Sequence, residues 1–210
     1  MPAPVSRIAR LAFGALVLAA AVLAGQVSPA LACACCTNEG QRNVATVPLD
    51  SGRRQEIESL RFGDKATLFA GEADVESIKG IANPSASYSL TARWQADRLV
   101  LSLRDAGGHT GTLALVRPGT ISVFEVDPRD RNDRGQGPRL YKEWKLSAPA
   151  SGSGVFQPGN ASRQVLTLIL QGGGNSCTSA SDFSHWTLVM QGPQANYTLF
   201  GDLVTSKQPL

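Results

Sequence analysis

SYSLTARWQADRLVLSLR, residues 87–104, decides the fold class. Tyr88, Leu90, Ala92 and Trp94 alternate with Ser87, Ser89, Thr91 and Arg93, and the alternation restarts with Leu99, Leu101 and Leu103. A period of two puts the apolar set on one face of an extended chain, which describes a strand buried on one side only. Consecutive runs of this kind read as hairpin-linked strands. Working outward, the same pattern recurs at 66–76, 112–116, 120–126, 140–146, 164–171, 186–191 and 197–203. Turn signals separate these runs, among them DAGGHT (105–110) and Pro118-Gly119. Gln55 to Phe62 offers two turns of helix, starting near Ser51 and burying Ile57 and Leu60. Thr37 to Gly52 reads as polar and turn-rich. The expectation is an all-β, single-domain antiparallel sandwich or up-and-down barrel of about 8–10 strands, with one short helix near 53–62.

The chain of 210 residues opens on a leader. Arg7 and Arg10 precede the uncharged run LAFGALVLAAAVLAG (11–25), and Ala30-Leu31-Ala32 supplies a small-x-small cleavage pattern. The run is short for a bilayer span. Residues 1–32 are therefore expected to be a signal peptide, 33–52 a cysteine-rich N-terminal segment and 53–210 a β domain. Loss of the leader removes two arginines and no acid, and the formal charge falls from +3 to +1. Nothing in that balance points to nucleic acid. Export, to the periplasm or beyond the cell, exposes the cysteines to an oxidising compartment.

Three of the four cysteines, Cys33, Cys35 and Cys36, fall within four residues; the fourth is Cys177. Four readings of this set follow. A disulfide from the cluster to Cys177 pins the mature N-terminus to a distant loop, while Cys35–Cys36 alone is a strained pair. Four thiolates also suit a soft metal, copper or zinc, held by Cys33, Cys35, Cys36 and Cys177. The C-x-C and C-C spacings resemble those of metallothionein-like binders, although zinc ribbons use two separated pairs. The C-x-x-C reading implies thiol-redox chemistry, but the motif sits at the mature chain terminus with no strand before it. Finally, Ala30-Leu31-Ala32-Cys33 resembles a bacterial lipoprotein signal, which implies an N-terminal lipid anchor at Cys33.

His109, Cys177, His185 and Met190 have the chain order of a cupredoxin site. The spacing argues against it: in one strand His185 and Met190 fall on opposite faces, with Met190 in the core stripe of Trp186 and Leu188. His109 reads as an ordinary exposed histidine, and Gly172-Gly173-Gly174 as a flexible connection that presents Cys177. DPRDRNDRGQGPR (127–139) fails as a calcium loop because Arg134 and Tyr141 stand where oxygen acids are required, so it reads as a self-paired charged loop. Asn160-Ala161-Ser162 and Asn196-Tyr197-Thr198 match the glycosylation pattern of a eukaryotic secretory pathway. No nucleophile elbow, zincin or phosphate-loop motif occurs.

The sequence thus predicts an exported cell-envelope module that binds or scaffolds rather than catalyses, with a small molecule or an envelope protein as partner. A copper- or zinc-binding thiolate protein is the alternative, and a thiol-redox enzyme ranks third.

Overall fold

The computed structural model describes residues 40–71, 74–128, 140–159, 164–174 and 180–204. The expected leader, Cys33, Cys35, Cys36 and Cys177, most of the charged 127–139 loop, and the Asn160 sequon lie outside the described residues. In chain order come β1 (Arg42–Pro48), α1 (Ser51–Ser59), β2 (Arg61–Phe62), β3 (Lys65–Phe69), β4 (Ser87–Gln95), β5 (Arg98–Arg104), β6 (Thr110–Val116) and β7 (Thr120–Val126). Then follow β8 (Leu140–Gly154), β9 (Val165–Gly174), β10 (Phe183–Gln191) and β11 (Asn196–Val204).

All the strand pairings are antiparallel, and they close a circuit. β3 pairs with β4, β4 with β5, β5 with β6 and β6 with β8. β8 then pairs with β9, β9 with β10, β10 with β11, and β11 returns to β3. Chain order is kept around the ring, so the sheet is an eight-membered up-and-down barrel, one of the two architectures the sequence leaves open. Two members are broken strands. β6 and β7 lie end to end along one edge of β8, with the break at Arg117–Gly119. β2 and β3 share β11 in the same way. β1 adds outside the ring, bonded to β7 alone.

The inner face takes the alternating apolar residues. Leu99, Leu101, Leu113, Leu115, Leu166 and Leu168 are all fully buried, each worth about 1.5–3 kcal/mol of burial. The barrel interior is therefore a packed core. At one end Phe156 lies between Tyr88 and Tyr197, with ring centroids 5.8 and 6.0 Å away. Gly111 makes that possible, since a Cβ there would stand 2.6 Å from the Phe156 ring.

At the opposite end lies α1. The Asp50 side chain accepts from the Arg53 N–H at 2.9 Å and caps the helix start, while Leu60 leaves it in an extended conformation. Ile57 enters the core and Leu60 packs against it, as the pattern predicts. Arg117, from the β6–β7 break, pairs with Glu58 of the helix and sits 5.0 Å above the Trp94 ring.

The strands at 87–95, 98–104 and 120–126 fall where the alternation places them. Differences are instructive. β1 occupies part of the stretch read as turn-rich, β8 runs on to Gly154, and β3 stops at Phe69, before Gly71 turns with φ +61°. Among the described residues no helix is long and apolar enough to cross a membrane.

Candidate functional site

The helix-covered end of the barrel holds a charge cluster that the apolar core makes expensive. β8 presents Leu140, Lys142, Trp144 and Leu146 on the inner face, so a lysine stands in the core stripe. Its Nζ donates to Asp182 Oδ2 at 2.8 Å, and both side chains are almost wholly buried, at 2 and 6% exposure. Glu125 of β7 lies directly opposite Lys142 in the register. Glu56 of α1 accepts from the Ala180 N–H at 3.1 Å. Asp127, at the end of β7, is fully buried, and its carbonyl accepts from the Gly40 N–H at 2.8 Å. A lone buried ammonium costs several kcal/mol, and the facing carboxylate is what permits it.

Glycines make room for this pair. On β9 the inner positions pass from Leu170 to Gly172 and Gly174. A Cβ on Gly172 would stand 2.0 Å from the Asp182 carbonyl oxygen, and one on Gly174 would stand 2.1 Å from the Asp182 carboxyl carbon. The glycine run is therefore ordered strand, emptied of side chains so that the turn before β10 can lie upon it and deliver Asp182 to Lys142. Gly172, Gly173 and Gly174 all stand in the β9 ladder, which corrects the expectation of a flexible connection over this run. Phe183 completes the packing, its ring meeting Trp144 edge-on at 5.2 Å.

The remaining carboxylates feel this environment. Burial pushes the Glu125 carboxyl above its ordinary range, against the pull of Lys142. Burial does the same to Glu56, with the Ala180 N–H opposing. On the outer face the Tyr141 hydroxyl donates to Glu143 at 2.6 Å, and burial and that carboxylate both raise its pKa.

The stems of the cysteine-bearing segments rise from this end. Gly40 is the first described residue after the cluster, and Gly174 the last before Cys177. One row of the ladder links Arg42, Val126, Tyr141 and Gly173 across four neighbouring strands. Three strand spacings make that row about 14 Å long. At about 3.4 Å per fully extended residue, four residues from Gly40 to Cys36 span about 14 Å at most, and three from Gly174 to Cys177 about 10 Å.

The other predicted residues are dispersed. Met190 is buried on the inner face while His185 is exposed on the outer face, with its ring 3.5 Å from Asp202. His109 stands at the far end of the barrel on the β5–β6 hairpin, so the histidines and the methionine of the blue-copper order are not brought together. His109 is better held than its sequence suggests: its Nδ1 lies 2.8 Å from Asp105 Oδ2, and its N–H donates to Oδ1 of the same carboxylate. Those bonds, the side-chain one foremost, hold the Asp105 carboxyl below its usual range. Among the described residues no group of three or more His, Cys, Asp or Glu is arranged to hold a metal ion.

Two grooves open on the outer wall. One, about 450 Å³, carries Thr91, Ser102, Thr112 and Ser153 in one register row beside Arg104. The other, about 360 Å³, sets exposed Phe69 and Phe200 beside His185 and Asp202. The fold and these sites define an up-and-down β-barrel with a filled interior, a buried ion pair at one end and grooves on its outer wall. No family model, curated protein or solved structure matches the chain.

Proposed function

We propose that the chain is an exported cell-envelope module, periplasmic or extracellular, that binds or scaffolds, and that its N-terminal cysteine segment is fastened to Cys177 at the Lys142 end of the barrel. One observation carries this reading. The stems of the two cysteine segments, at Gly40 and Gly174, belong to the same end of the same sheet, and their combined reach exceeds the row between them. The outer grooves offer surface to a small molecule or an envelope protein. The same proximity supports a second reading, in which Cys33, Cys35, Cys36 and Cys177 hold copper or zinc as thiolates.

Intact mass of the exported chain, native and denatured, with and without thiol alkylation, separates the two. A mass below the reduced chain by two hydrogens per bond, with no adduct, supports the fastening. A metal adduct lost on denaturation, with all thiols then alkylated, supports the thiolate site. A free cluster carrying neither defeats both, and a gain of acyl mass on Cys33 reveals an anchor.

A further inference from the structure

We infer that β1 joins two copies of this chain edge to edge. Among the described residues β1 has one paired edge, the one facing β7, and both of its faces are largely exposed, Val44 to 72%. The Leu49 N–H donates to the Gly119 carbonyl across the β1–β7 register. By the alternation of an antiparallel ladder, Val47, Ala45 and Asn43 also turn their backbone groups toward β7. Arg42, Val44, Thr46 and Pro48 turn theirs outward. Proline at an outward position is what an edge strand tolerates, since the missing N–H faces away from the ladder.

The outward groups are self-complementary. A two-fold axis at Val44 sets Val44 opposite Val44 of the second copy, and Arg42 opposite its Thr46. All three outward donors of each strand then find carbonyls, giving six bonds. Pro48 falls beyond the paired stretch, whereas an axis at Ala45 would drive its ring against the facing strand where a donor hydrogen belongs. The axis at Val44 also pairs the exposed valines across strands, which is favourable. Arg42 is the strand's only charge, and the axis separates the two arginines by four residues, about 13 Å along the strands. No like charges are opposed. The bare edge is thus covered by the partner whose donors, acceptors and charge match it: a second copy, joined weakly because an edge buries less than a standard interface.

Sedimentation of the exported chain over a concentration series, with and without reductant, tests this. The expected result is a monomer–dimer equilibrium insensitive to reductant, and a shift to monomer of tenfold or more for Thr46→Pro, which deletes an outward donor and no β7 bond. Should Thr46→Pro fail to give the native circular dichroism, Val44→Lys decides, because it sets two ammonium groups together on the axis. A monomer at every concentration, a dimer dissolved by reductant, or a dimer untouched by the folded variant overturns the inference.

Discussion

Lys142 and Asp182 meet at 2.8 Å inside the barrel, and the space for that meeting is the volume that Gly172 and Gly174 lack. Removal of the carboxylate takes a charged partner from a buried ammonium. Asp182→Ala is expected to destabilise the fold by about 3–5 kcal/mol, and the double change with Lys142→Met to recover part of that loss. Urea unfolding of the two variants checks it; a double variant no more stable than the single one would show that the ammonium is not what the carboxylate serves.

The glycines of β9 give a sharper contrast. A Cβ at Gly172 meets backbone at 2.0 Å, while at Gly173 the nearest atom is 3.5 Å away. Gly172→Ala should cost about 1–3 kcal/mol by forcing the 180–182 turn off the sheet. Gly173→Ala should stay within about 0.5 kcal/mol of the parent. Equal midpoints for the two would mean that this run is the loose connection its composition suggests.

Glu125 predicts the sign of a pH effect. Its carboxyl is raised above the ordinary 4.5, so the folded chain holds that proton more tightly than the unfolded chain. Stability from this group is present in full below pH 4.5 and is lost as pH rises through the folded value. Glu125→Gln should therefore flatten the stability profile just above pH 4.5. Asp105 works in the opposite sense: its depressed carboxyl adds stability above 3.8 that is lost as pH falls through the folded value. Stability curves of Glu125→Gln and Asp105→Asn should depart from the parent on opposite sides of about pH 4, and departures on the same side would refute the assignment.

Much of this was legible in the sequence, and the exceptions have causes. Strands with one buried face announce themselves by period two. β1 does not, because neither of its faces is fully buried: Val47 packs against the core, and the rest of the strand is held by backbone bonds to β7. β8 outruns its apolar pattern because β9 pairs with one edge as far as Pro149 and β6 then takes up the other from Ala150, carrying the strand through SAPASGSG. Pro149 falls in the gap between the β7 and β6 pairings, where that edge requires no donor. Closure of the ring rests on β11 meeting β3, a pairing of distant segments that no local signal encodes. Lys142 was readable: Leu140, Lys142, Trp144 and Leu146 share a face, and a lysine in such a stripe asks for a buried partner. That partner, Asp182, precedes its strand in a short turn and carried no signal of its own.

The proposed fastening of the N-terminus has a thermodynamic consequence that can be read without knowing any ligand. A disulfide between Cys36 and Cys177 closes a loop of about 140 residues, and the chain-entropy relation gives a loop of that length about 5 kcal/mol at most. Reduction of the oxidised chain should lower its unfolding free energy by up to that amount, and Cys177→Ser should match the reduced parent and be indifferent to reductant. The loss should arise mainly in the unfolded state, so the native spectrum and the Lys142–Asp182 pair should survive reduction. A parent whose urea midpoint is the same with and without reductant would exclude the staple. Loss of stability on adding a chelator, rather than a reductant, would transfer the same energy to a thiolate-bound metal, because the two readings share one end of the barrel and differ in what joins the sulfurs.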